Sequence, residues 1–206
     1  MNEIEELRRP FLRRGYDKVS YFTTKDMAAD YLDGAIDGKT VGIGDSETLR
    51  AMGLPERLAQ HNAVTDPNHI RKERPEFSRL ASKCLTTEVY LTSVNGASAD
   101  GMMVNLDGVG NRIAASLYGH DRVYFVFGIN KIRSTLEEAI YRARHVAAPK
   151  NARRHHMTHT GCAAMGWQDC ADCMSPERIC NALVIYYRKL LLCEAEVVII
   201  GENLGF

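Results

Sequence analysis

The chain lacks any long apolar run. Its apolar stretches, residues 197–200 among them, fall far below the ~20 residues that a membrane-spanning helix needs, so membrane insertion is not expected. Residues 1–14 are charged and have no apolar centre, which is not the pattern of a secretory leader. Neither sign of charge is in excess: 26 Lys and Arg balance 26 Asp and Glu. Neither nucleic acid nor a membrane surface is therefore an expected partner. Internal repeats and low-complexity segments are missing too. Apolar residues make up 45% and charged residues 25%, which excludes a disordered or fibrous chain. The expectation is a cytoplasmic, soluble protein whose 206 residues suit one domain over 1–206 with room for a core.

What is present reads as strands alternating with helices. An N-terminal helix is expected within residues 1–16. Residues 24–36 carry Met27, Ala28, Tyr31, Leu32 and Ala35 at helical spacing. Residues 40–44 read as a buried strand running into Asp45-Ser46-Glu47-Thr48, a helix N-cap with acidic residues in the first turn. Residues 88–94 have strand composition. Residues 122–127 form a solid apolar core without polar alternation, as in a strand buried on both faces. Ser134-Thr135-Leu136-Glu137 spells a capping box, and the apolar stripe behind it ends at Pro149. Strands are also expected at residues 18–22, 64–65, 102–106, 182–187 and 196–200, and helices at 75–84 and 110–118. This alternation predicts an α/β domain with a largely parallel sheet. Ligands in such sheets bind beyond the carboxyl ends of strands, which directs attention to the loops at residues 42–46, 95–111 and 128–133.

The middle loop is crowded with Gly, Asn and Asp and leads into a helix. Free amides at that helix start suit a phosphate or carboxylate, and Arg112 adds charge. The plainer alternative is a hairpin with its cap, the Asn and Asp serving as turn residues. No GxxxxGK[ST] run is present, and Gly42-Ile43-Gly44 lacks the third glycine of a dinucleotide fingerprint. Gly128-Ile129-Asn130-Lys131 follows the strongest strand. A lysine there can hold an anion, or act as a base or Schiff-base nucleophile if desolvated; anion binding is the favoured role.

Four of the six cysteines fall within 19 residues: Cys162, Cys170, Cys173 and Cys180. In a reduced compartment, clustered cysteines point to metal or redox chemistry. Four thiolates can hold zinc or an iron–sulfur cluster, and the spacing does not decide between them. Residues 150–181 are expected to be a cysteine-rich, metal-binding loop, because a structureless stretch of that length needs an ordering agent. Arg153, Arg154 and Arg178 are expected to offset the thiolate charge. His155, His156 and His159 are alternative ligands or polar loop residues. Cys84 and Cys193 read as small buried residues.

The run LTSVNGASADGMMVNLDGVGNR, followed by VYFVFGINKI and then by CADCMSPERICN, resembles the lactate-utilisation (LUD) domain family, in a short cysteine-containing branch. The likeness extends from about residue 24 to 206. It implies an α/β sheet with flanking helices, like that of the glucosamine-6-phosphate isomerase, ribose-5-phosphate isomerase and CoA-transferase superfamily. It also implies a setting in organic-acid (lactate-like) metabolism, with iron–sulfur redox proteins as partners. The matching motif residues are taken as the ligand-binding set: Asn95, Asp100, Gly101, Asn105, Asp107, Gly108, Gly110, Asn111, Arg112, Asn130 and Lys131.

Three functions are compatible with this sequence. The first is a LUD-domain protein that binds a small anionic metabolite and carries a four-cysteine metal or iron–sulfur site. The second is an isomerase- or transferase-like enzyme acting on a sugar phosphate or acyl-CoA, with Asp107 as general base and Lys131 as anion clamp. The third is a non-enzymatic metabolite-binding regulatory module. Whether the protein is an enzyme stays open on sequence, and a homo-oligomer is compatible with it.

Overall fold

The structure is a computed structural model describing residues 3–70 and 73–206. From the N-terminal side, helix α1 (Glu3–Arg13), strand β1 (Lys18–Phe22), helix α2 (Lys25–Ala35) and strand β2 (Thr40–Ile43) lead to two short helices, α3 (Glu47–Ala51) and α4 (Leu54–Leu58). Strand β3 (Ala63–Thr65), helix α5 (Arg74–Cys84) and strand β4 (Val89–Thr92) complete the first half. The second half runs through β5 (Gly96–Ser98), β6 (Met103–Asp107), α6 (Asn111–Leu117), β7 (Arg122–Gly128) and β8 (Ile132–Arg133). It then passes through α7 (Leu136–Arg142), α8 (Ala148–Arg154), α9 (Gly161–Ala164), β9 (Ala182–Tyr186) and β10 (Glu194–Ile200).

Six described strands form a parallel sheet in the order β1-β10-β7-β4-β2-β3. Both faces are covered, which explains the unbroken apolar runs of its central strands. In β7, Tyr124 and Val126 join one core with Leu32 of α2, Leu49 of α3 and Leu58 of α4. Val123, Phe125 and Phe127 point the other way, to Phe11 of α1, Met103 of β6 and Ala115 of α6. The same alternation splits β10 into Val198 and Ile200 against Val197 and Ile199. A full burial of such side chains contributes about 1.5–3 kcal/mol each, so β7 and β10 anchor the fold.

A smaller sheet, β8-β5-β6-β9, lies beside the first. Its β5 and β8 strands, three and two residues long, are too short to leave a period in the sequence. Its far side packs Val104 against Ala139 and Ala143 of the long helical stretch.

That stretch corrects two expectations. The N-cap is Thr135, whose hydroxyl accepts from the Glu138 amide at 3.2 Å, and Glu138 accepts in turn from the Ser134 amide at 3.0 Å. The box is therefore one residue later than the Ser134–Glu137 reading. Pro149 does not end the helix. A π-helical turn, Ala143–Ala147, joins α7 to α8, and the Ala148 amide bonds the Ala143 carbonyl five residues back. A proline removes one intrahelical bond and clashes with the turn before it; the wider turn lets the helix continue through Pro149 to Arg154. Residues 150–181 are accordingly not all loop, since they include the end of α8 and the single turn of α9. Among the described residues, no helix is long and apolar enough to cross a membrane.

Candidate functional site

The loops following β2, β4 and β7 converge at the carboxyl edge of the large sheet. After β2, Ser46 caps α3 by accepting from the Leu49 amide at 3.2 Å, placing Asp45 and Glu47 at the edge. After β4 come Ser93 and Asn95. After β7, a 3-10 turn, Ile129–Lys131, swings Lys131 inward. These residues, with Asp107, Gly108, Asn111, Arg112, Asn151, Arg154 and Phe206, line a cavity of about 70 Å³. A water-sized sphere needs roughly 10–15 Å³ and a drug-sized ligand roughly 300 Å³ or more. The space therefore fits a small head group and not a nucleotide.

Lys131 is the decisive side chain. It is 4% exposed, and its Nζ donates to Ser93 Oγ at 2.9 Å and Thr48 Oγ1 at 3.3 Å. Among the described residues no carboxylate neutralises it. Burial, then the neighbouring Arg142 and Arg112 guanidinium groups, push its pKa well below the ordinary lysine value. Gly205, at φ +67°, brings the backbone of residues 204–206 against it; a Cβ there would sit 3.1 Å from Nζ. Arg142, buried beside it, donates to the Phe206 carbonyl at 3.1 Å.

Arg112 is held by the Asn-rich motif. Its Nη1 donates to Asn105 Oδ1 at 2.8 Å, and its Nη2 to Asn95 Oδ1 at 3.1 Å and the Leu106 carbonyl at 2.6 Å. Asn105 is fully buried and does not line the cavity; it is a brace between β6 and the loop after β4. Asp107 is engaged on both oxygens. One accepts from the Val109 and Gly110 amides, the other from the Ile113 amide, all at 3.2 Å, with Arg112 Nε 3.7 Å away. Its work is to start α6, whose first turn Gly110 opens at φ +92°; this leaves the general-base reading without geometric support.

Other motif residues lie elsewhere. Asp100 pairs with Arg14 at 2.6 Å, and Gly101 lies against the Pro10 carbonyl, both joining the small sheet to α1 and outside the cavity. Asn130 accepts from the Leu204 amide at 3.1 Å and, through its carbonyl, from Arg142 Nε at 3.1 Å. It positions the turn that carries Lys131.

Sequence reasoning passed over Thr48, Ser93, Arg142 and Asn151. Arg142 left a signal, since it interrupts the apolar stripe of α7 between Ala139 and Val146. Arg154 was expected beside the thiolates, but it reaches Asp45 at 3.1 Å and pairs with Glu47. Arg50 engages the same two acids.

The four clustered cysteines line a second, smaller cavity of about 20 Å³ together with Arg144, Ala148, Asp172, Arg178 and Ile179. Cys170 Sγ accepts from the Asp172 amide at 3.4 Å. Amides of Gly161 and Ser175 hold the Cys173 thiol below its usual pKa, while burial raises that of Cys180 against the opposing pull of Arg178. Arg178 donates to the Cys173 and Cys180 carbonyls at 2.7 and 3.1 Å. Among the described residues, no group of three or more His, Cys, Asp or Glu side chains is placed to hold a metal ion. His159 pairs with Glu177 at 2.8 Å and His155 lies 3.6 Å from Asp45. Cys84 is buried and donates to the Thr65 carbonyl; Cys193 is half-buried.

A family model described as LUD domain matches residues 5–200. The chain belongs to the LUD domain family. No curated protein matches it. Among solved structures it is similar to the crystal structure of a DUF162 family protein from Deinococcus radiodurans, at 13% identity and a TM-score of 0.53, covering 96% of both chains. At that identity the likeness speaks to fold alone. In this LUD domain an open groove of about 1050 Å³ continues outward from the Lys131 cavity, sharing Asn68, Phe77, Gly108, Arg154 and Ile179 with it. The small head-group space thus opens onto room for a longer molecule.

Proposed function

We propose that this LUD domain binds a small carboxylic acid of the 2-hydroxy or 2-oxo class, its carboxylate held at the Lys131 end of the cavity. The observation that carries the reading is a buried lysine, at the carboxyl edge of a parallel sheet, that has no carboxylate partner among the described residues. Such a charge is costly unless a ligand neutralises it. Lys131 supplies the charge, the Ser93 hydroxyl a second polar contact, and the small volume selects against larger head groups. The lactate-like setting suggested by the family fits an acid of this size.

The reading is one of binding. The three carboxylates lining the cavity are engaged, Asp45 and Glu47 by Arg50 and Arg154 and Asp107 by backbone amides, so none is positioned to abstract a substrate proton. The test is a thermal-shift and calorimetric panel of L-lactate, pyruvate, inorganic phosphate and the neutral lactamide. An acid that raises the melting temperature with the logarithm of its concentration once above its Kd, with lactamide inert, supports the reading. Equal responses to acid and amide, or none to either acid, overturn it.

A further inference from the structure

The cysteine-rich segment is built around a hole. Cys162 comes from α9, Cys170 and Cys173 from the turn after it, and Cys180 from the approach to β9, yet all four line one space of about 20 Å³. Two features show that the backbone is shaped to present sulfur there. Asp172 takes a left-handed conformation, φ 46°, which folds the Cys170–Cys173 turn back so that the Asp172 amide donates to Cys170 Sγ. Gly161 lets Cys173 pack close, since a Cβ there would lie 2.9 Å from the Cys173 Cβ and 3.6 Å from its Sγ. Arg178 then ties the carbonyls of Cys173 and Cys180 together. Apolar burial does not hold the segment, since none of residues 161–181 is buried; its ties to the long helical stretch are polar, His145 with Asp169 and Arg144 with Asp172.

From this juxtaposition we infer that the four cysteines bind a single zinc ion, which completes the folding of residues 160–181. The donor set decides the class of occupant: four thiols line a space of about 20 Å³, which has room for one water-sized sphere at roughly 10–15 Å³ and so for a single ion. Zinc accepts four thiolates tetrahedrally at about 2.3 Å. Among the described residues the side chains do not converge to that distance, so the ion draws them in. Charge is consistent with this. Four thiols give up their protons to solvent on binding, and four thiolates around a dication leave two negative charges. Arg144 and Arg178, both on the cavity wall, face them, with Asp172 bridging the two arginines at 3.2 and 3.0 Å. Amides that donate to sulfur orient the ligands from outside.

The inference stands apart from the carboxylate reading, because its readout is metal content and not ligand binding. The full chain, purified with and without oxygen, is assayed by elemental analysis and for acid-labile sulfide. Zinc at one per chain, replaced by cobalt(II) with thiolate charge-transfer absorption and released with loss of melting temperature on chelation, is the expected result. Zinc is retained in Cys193→Ser and lost in the Cys170→Ser/Cys173→Ser double variant. Should that variant not fold, the cobalt spectrum of the unmutated chain still decides the ligand set. Iron in either preparation, with or without sulfide, overturns the assignment. So does a folded, metal-free chain that fails to take up zinc or cobalt while its thiols remain reduced.

Discussion

Replacing Lys131 by methionine separates what the lysine does for the fold from what it does for a ligand. Methionine keeps the length of the side chain and removes the buried charge. Thr48 and Ser93 are not orphaned by the change, because their hydroxyls lie 3.4 Å apart and Thr48 Oγ1 also reaches the Leu204 carbonyl at 3.5 Å. With no carboxylate left unpaired, Lys131→Met is expected to be neutral or stabilising by about 1 kcal/mol, as when buried ions give way to apolar groups of similar size. Ligand binding is expected to move the other way. A charge-assisted hydrogen bond contributes about 1.5–3 kcal/mol, and each 1.4 kcal/mol is about tenfold in affinity, so the best acid of the panel loses about 10- to 150-fold. The pH dependence follows from the same charge. Because burial depresses the Lys131 pKa below the ordinary 10.5, the unfolded chain holds the extra proton between the folded value and 10.5. Stability therefore rises with pH across that window, and the methionine variant lacks this slope. A bound carboxylate favours the charged amine, so where Lys131 is neutral, binding takes up a proton and weakens as pH rises. Urea titrations across pH and calorimetry in two buffers of different ionisation enthalpy measure both effects. Unchanged affinity in Lys131→Met, or a loss of more than about 2 kcal/mol in stability, refutes the reasoning.

Arg112→Leu removes the donor shared by Asn95, Asn105 and Leu106 and is expected to cost about 2–3 kcal/mol in urea unfolding; a loss below 0.5 kcal/mol contradicts the bracing role. Asp107→Ala strips three amides of their acceptor and is expected to cost about 1–2 kcal/mol. Asp107→Asn, which keeps one acceptor oxygen, costs less and leaves acid binding unchanged, whereas a general base would lose its chemistry in both. Gly96→Ala places a Cβ 2.5 Å from the Ala139 carbonyl oxygen. Neither partner is a flexible side chain, so about 1–3 kcal/mol is lost, and a wild-type melting temperature shows that β5 and α7 pack more loosely than described.

The parts of the fold legible in the sequence are those in which burial imposes a period. The β7 and β10 strands read as solid apolar runs because helices cover both sheet faces, and α2 reads as a helix because only one of its faces meets the core. Failures arose where neighbours distant in the chain decide. Ser134 and Thr135 both precede a glutamate by three residues, so local spacing cannot choose between them. Pro149 is a helix stop on local grounds, and its tolerance depends on a π turn packed against β6. At the site, the position of Lys131 after the strongest strand was readable. Its burial was not, because Thr48, Ser93 and residues 204–206 supply it from three other segments. The Asn- and Asp-rich motif serves the backbone as well as lining the cavity. Side chains that suit a ligand also suit a turn, and Asn95, Asn105 and Asp107 spend their oxygens on Arg112 and on the start of α6.

The two cavities share a wall. Ala148 and Ile179 line both, and the cysteine segment is fastened to the ligand side at one turn: the Asn181 amide donates to the Asp107 carbonyl at 2.8 Å, and its side-chain amide to the Gly108 carbonyl at 3.0 Å. Gly108 lacks a Cβ where one would lie 2.9 Å from the Ile179 Cα, so the two backbones meet without an intervening side chain. A segment with little apolar surface of its own cannot hold a cavity wall in place through burial alone. Whatever orders residues 160–181 therefore also fixes where Ile179 sits in the wall of the Lys131 cavity, and loss of that ordering enlarges that cavity from one side. The size of the Lys131 cavity and the integrity of the thiol cavity are in this way properties of one shared backbone contact.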